Sequence, residues 1–214
     1  MRKKISLIVL IIIAYTCLFS NFCFAGVDEV KLFISGDFGS NPYNITATNY
    51  AAATFRKLGY SVRSGPTSHP NYTVTSSRSD VLTYIQESGD NYAFYVNSHG
   101  AAGIIAMQNG TSAQCIYPSD ITGGWHLVWI DACNCLSNTD FANAFHTIGY
   151  SNRASLGWFN TVYNSAIAEW NGHFLSYAGT MGLRDACLAA AGDCSSSTPI
   201  RIFGDTSWYG YAWP

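Results

Sequence analysis

The sequence predicts one three-layer α/β domain, a mostly parallel central sheet of about six strands with helices on both faces. Strand-like apolar runs alternate with helix-like text from residue 30 to residue 205. Two of those runs, residues 92–97 and 126–131, are short and nearly continuous in apolar side chains, as strands buried on both faces are. No linker-like change of composition divides the chain, so residues 26–214 are read as a single domain.

Val30 to Ser35 reads as the first strand, and Thr46 to Leu58 as a helix that Gly59 closes. Tyr60 to Arg63 is a second strand, followed by a Ser/Thr/Pro-rich loop through Ser77. Ser79 to Glu87 is a short amphipathic helix with Leu82 and Ile85 on one face. Residues 92–97 follow as a buried strand, and 103–117 as a hairpin turning at Asn109-Gly110. After the 126–131 strand, Ser137 or Asn138 caps a helix that carries Phe141 and Phe145 on one side. Ala154 to Phe159 is a fifth strand. Asn164 to Tyr177 is a helix with Ile167, Trp170 and Phe174 in step, Leu183 to Ala190 another, and Ile200 to Phe203 the last strand.

Composition removes several function classes. Charged residues are only 11 % of the chain and aromatic residues 15 %, the reverse of a disordered segment. No run of Lys and Arg exists to neutralise phosphates, so nucleic acid is not an expected partner. No glycine-rich phosphate loop, no Gly-x-Ser-x-Gly elbow and no His-Glu-x-x-His or paired Cys-x-x-Cys occurs. Neither a cofactor nor a metal site is therefore expected.

Residues 1–25 read as a secretory signal: Arg2, Lys3 and Lys4 precede an apolar stretch, and Cys23-Phe24-Ala25 ends in a small residue. Cleavage after Ala25 is expected, with a secreted or periplasmic location and no stable membrane insertion afterwards. The remainder keeps 8 Lys+Arg against 13 Asp+Glu and five cysteines, at 115, 133, 135, 187 and 194. An odd count leaves at least one thiol unpaired, while Cys187 and Cys194 enclose a short loop and form a candidate disulfide.

In a doubly covered parallel sheet the binding site lies beyond the carboxyl ends of the strands. One buried-type run continues into Ser98-His99-Gly100, the other into Asp131-Ala132-Cys133. As neighbours about 5 Å apart, these strands bring His99 and Cys133 to one edge. A thiol nucleophile needs an imidazole to manage its proton and that of the leaving group. Gly100 permits close backbone approach and an unobstructed N–H. If the run stays extended, Asp131, Cys133 and Cys135 share one face, so spacing alone does not choose between the two cysteines.

A hydrophobic strand ending in His-Gly, then a later strand ending in Asp-Ala-Cys, resembles the caspase–hemoglobinase-fold cysteine peptidases: caspases, metacaspases, legumain, clostripain and gingipains. Residues 201–205, Arg-Ile-Phe-Gly-Asp, are similar to the closing strand of gingipain-like domains. The resemblance implies a caspase-like domain acting on peptide or protein substrates as an exported endopeptidase. It makes His99 the catalytic histidine and Cys133 the nucleophile, with the backbone N–H groups of Gly100 and Cys133 as the oxyanion hole. Cys135 is then paired with Cys115 or free. Asp131 falls where several members place a residue of the pocket that reads the side chain before the cut bond, implying selection of Arg or Lys. Asp131 is equally a strand-end carboxylate that accepts local backbone N–H bonds.

Two other readings stay in play. One is a catalytically inactive caspase-fold binding module at the cell surface. The other is a surface protein whose Trp208, Tyr209, Tyr211 and Trp213 form a stacking platform, against the plainer reading of a C-terminal segment packed on the sheet.

Overall fold

The computed structural model describes residues 28–63, 65–86, 92–108 and 111–211. The signal segment, the Asn109-Gly110 turn, Glu87 and Trp213 lie outside them. The sheet runs β10–β9–β8–β4–β1–β2, with β3 also on β1. Its strands are β1 (Glu29–Ser35), β2 (Ser61–Val62), β3 (Thr73–Thr75), β4 (Tyr92–Asn97), β8 (Trp125–Asp131), β9 (Ala154–Trp158) and β10 (Ile200–Gly204). All neighbours are parallel except β10, which returns antiparallel along β9 with Ile202 opposite Leu156.

Period-two alternation in the central strands builds two cores, one on each face. Val30, Leu32 and Ile34 of β1, Ala93 and Tyr95 of β4, and Leu127 and Trp129 of β8 share one face. There they meet α1 (Pro42–Lys57), α4 (Asn164–Tyr177) and α5 (Leu183–Asp193). Phe33, Phe94, Val96, Val128 and Ile130 point the other way, onto α2 (Arg78–Gln86) and the Phe141 and Phe145 side chains around α3 (Asp140–Ala144). The aromatic excess is largely spent inside. Trp125, Trp129, Trp158 and Trp170 are fully buried, and Trp129 meets Tyr95, Trp170 and Phe174 edge-on at 5.3–5.7 Å. Such pairings add to area burial.

Some expectations shift. Helix α1 begins four residues before the expected Thr46, because the Asn41 side chain accepts a bond from Tyr43 N at 2.9 Å and Pro42 fits the first turn. Within the expected Ser/Thr/Pro loop, the β-branched Thr73-Val74-Thr75 pairs with Phe33–Ser35 as a strand. The 103–117 hairpin is there as β6 (Ile104–Ala106) against β7 (Cys115–Ile116), extended by β5 (His99–Ala101) into a small three-stranded sheet. Helix α3 is a short turn, its first N–H taken by the Asn138 side chain at 3.1 Å.

The expected disulfides do not form: all five described cysteines are free. Two helical turns, about 10 Å of rise, separate Cys187 from Cys194, beyond the roughly 7 Å Cα separation a disulfide spans. Cys115 Sγ turns back to Thr111 O at 3.3 Å, whereas Cys135 Sγ donates to Ile130 O at 3.4 Å. Trp208 is only 9 % exposed and its carbonyl holds Leu183 N at 2.8 Å, so it packs as part of the closing segment rather than standing out as a platform.

Candidate active site

The register of β4 against β8 sets the site. Asn97 lies opposite Asp131, and Ser98 N donates to Asp131 O at 3.1 Å, so the residues that follow emerge together at the carboxyl edge. Gly100 makes the last approach feasible. A Cβ there would stand 2.7 Å from both Ala132 Cβ and Cys133 O, so any other residue would push the His99 segment away from Cys133. The carboxyl ends of β1 and β9 border the same edge. Together the four loops enclose a cleft of about 250 Å³ lined by Phe38, Ser98, His99, Cys133, Val162, Tyr163, Asn164 and Ile167.

His99 is half exposed and held from two sides. Its Nε2 lies 2.8 Å from Asp37 Oδ2, and its ring stands edge-on to Phe38 with centroids 4.4 Å apart. Asp37 is in turn fixed by the Ser35 hydroxyl and by a tight turn in which Phe38 N donates to Ser35 O at 2.9 Å. With Nε2 engaged by a carboxylate, Nδ1 is the nitrogen left to exchange protons. The sequence reading missed Asp37. Its signal was available, because Asp37 follows β1 just as His99 follows β4 and Cys133 follows β8.

The two cysteines part company. The chain does not stay extended beyond Asp131. It turns through residues 132–136 with Asn134 at φ 57°, and this reverses the facing that strand alternation would give. Cys133 is partly exposed in the cleft, its Sγ accepting from Val162 N at 3.4 Å. Cys135 is fully buried in the opposite core, where desolvation pushes its thiol up to about 12. It is held protonated and away from the cleft.

Asp131 is fully buried, and both its oxygens are satisfied. Oδ1 accepts from the indole N–H groups of Trp129 and Trp158, each at 2.9 Å. Oδ2 accepts from Tyr95 OH and Asn171 Nδ2, each at 2.8 Å. Burial raises its pKa while the four donors pull it back. The carboxylate does not line the cleft, and two indoles, a phenol and an amide already occupy the positions a guanidinium would need. The Arg/Lys pocket expected of Asp131 is therefore corrected: this residue knits β4, β8, β9 and α4 together beneath the site.

The geometry thus gathers His99, Gly100 and Cys133 at one edge, adds Asp37, and leaves Asp131 below. Chemically, a partly exposed thiol, an imidazole held by a carboxylate and neighbouring backbone N–H groups suit acyl transfer to sulfur. Comparison of the sequence with protein-family models and with curated proteins found no match. Among solved structures, the chain is similar to caspase-1 from Spodoptera frugiperda, with a TM-score of 0.52 and 10 % identity over 86 % of this chain and 91 % of that one. The fold is caspase-like, and the mostly parallel sheet with helices on both faces is the architecture that carries the likeness.

Proposed function

We propose that this caspase-fold protein is an exported cysteine endopeptidase whose nucleophile is Cys133 and whose acid–base is His99. The observation that carries the reading is the shared cleft. His99 and Cys133 emerge from adjacent parallel strands into one opening, with Gly100 packed directly on Cys133. In the first step the Cys133 thiol gives its proton to His99 and the sulfur attacks the scissile carbonyl carbon, while the N–H groups of Gly100 and Cys133 take up the negative oxygen. As the C–N bond breaks, protonated His99 gives its proton to the departing amine, leaving a thioester. His99 then removes a proton from water, the resulting hydroxide attacks the thioester, and the acid product leaves as Cys133 regains its proton. Asp37 keeps the imidazole oriented through Nε2. The signal-like residues 1–25 support export, which N-terminal sequencing of the secreted protein tests against cleavage after Ala25.

The decisive experiment labels the secreted protein with a peptidyl electrophile and compares wild type, Cys133→Ala, Cys135→Ala and His99→Ala. Adducts on wild type and Cys135→Ala, none on Cys133→Ala and sharply slowed reaction on His99→Ala are expected. A folded wild type that forms no adduct overturns the peptidase reading and favours an inactive binding module on the same scaffold.

A further inference from the structure

Taking the peptidase reading as its premise, we infer that the cleft beside Cys133 receives an apolar side chain, so that the enzyme cuts after hydrophobic residues. The inference goes beyond that reading by naming the substrate class. Val162, Tyr163 and Ile167 form its recognising wall, and Phe38 lines the cleft as well.

The lining carries the argument. Apart from the reacting His99 and Cys133, it consists of Phe38, Val162, Tyr163 and Ile167 with the neutral polar Ser98 and Asn164. Among the described residues no Lys, Arg, Asp or Glu lines it, so neither an acidic nor a basic substrate side chain would meet an opposite charge from them there. Stripping a charge of water without a partner is strongly unfavourable. Asp131, the carboxylate nearest the nucleophile in sequence, is sealed beneath the site and saturated by four donors.

Shape agrees with chemistry. At about 250 Å³ the cleft is smaller than the roughly 300–1,000 Å³ of cofactor-sized pockets, and suits a side chain rather than a cofactor. Val162 touches the nucleophile itself through its backbone N–H. A side chain resting on Val162 therefore belongs to a residue flanking the scissile bond, and we assign it to the residue that supplies the carbonyl. Tyr163 and Ile167 are linked by Ile167 N donating to Tyr163 O at 3.0 Å. They lie one helical turn apart on the same face. Ile167 is 2 % exposed and packed, whereas Tyr163 is 81 % exposed, an aromatic ring held at the rim with little of its surface covered. Closing a large side chain against such a wall selects apolar over charged residues by about 10- to 100-fold.

The test uses full-length secreted protein and peptidyl acyloxymethyl ketones that differ only in the residue next to the ketone: Leu, Met, Phe, Arg, Lys or Asp. Adducts on Cys133 are timed by intact-protein mass spectrometry. The expected result is at least tenfold faster modification by the Leu, Met or Phe probe than by the charged three. Tyr163→Ala, at a site too exposed to endanger folding, should slow the apolar probes about five- to tenfold. Arg, Lys or Asp probes reacting as fast as the apolar ones would overturn the inference and leave the peptidase standing. Apolar preference untouched by Tyr163→Ala would remove Tyr163 from the recognising wall. No adduct with any probe would overturn the peptidase reading, and the inference with it.

Discussion

The cleft around Cys133 and the sealed cage around Asp131 lie two residues apart in the chain and differ in nearly every physical respect. In the cleft, a partly exposed thiol and a half-exposed imidazole share one opening, and the imidazole is held by the Asp37 carboxylate. In the cage, a fully buried carboxylate is met by four neutral donors from three strands and a helix. The groups proposed to react keep solvent access and atoms not taken up by the core. Groups that stabilise the fold give up both. One strand end supplies the two regions because the chain turns sharply after Asp131, sending Cys133 outward and Cys135 into the opposite core.

The strongest way to break this contrast is to exchange the cysteines' fates. Cys133→Ala should lower peptide cleavage by about 10³-fold or more. Cys135→Ala should keep activity within a few-fold and cost about 1 kcal/mol of stability through the cavity it leaves. Steady-state kinetics beside denaturant melts read both, and loss of activity in Cys135→Ala alone would move the nucleophile. Next in size is the cage. Asp131→Ala orphans four buried donors, which should cost about 3 kcal/mol or more, visible as a fall in the urea midpoint. The folded fraction should still react with the electrophile, and a selective loss of Arg-probe labelling without destabilisation would return Asp131 to the pocket.

Gly100→Ala tests whether the two segments must touch. Relieving its 2.7 Å contacts should cost about 1–3 kcal/mol, with cleavage falling further than stability because His99 is displaced. Asp37→Asn should lower kcat about ten- to a hundredfold with KM little changed, and Asp37→Glu should restore part of it. A rise in KM with kcat unchanged would mean that Asp37 binds substrate instead of orienting His99. The smallest effect is a rate. With its thiol held at about 12, Cys135 ionises to roughly one part in 10⁴ at pH 8. Because a raised thiol pKa means thiolate gained only as pH rises, native alkylation should spare Cys135 and gain about tenfold per pH unit where the fold persists. Prompt modification at pH 8 would show that the core around Cys135 opens.

Much of this molecule is legible from residue order. The alternation of β1, β4 and β8, the span of α4 and the placing of His99-Gly100 and Cys133 at strand ends all follow from side-chain period and strand composition. What the pattern lost were local signals of another kind, such as the Asn41-Pro42 start of α1 and the short β3 inside polar text.

The sequence by itself determined the α/β class, the order of the main strands and helices, and the position of His99 and Cys133 just past the ends of two buried strands, because these rest on near-neighbour regularities that any extended or helical segment displays. Only the tertiary structure decided that Asp37 reaches His99, that Cys133 and Cys135 face opposite cores, and that Asp131 is caged. The partners of Asp131 come from 27, 36 and 40 residues away as well as from its own strand. Such contacts depend on strand order and register, which no local period encodes, and desolvation by those distant groups then settles which carboxylate and which thiol meet the solvent.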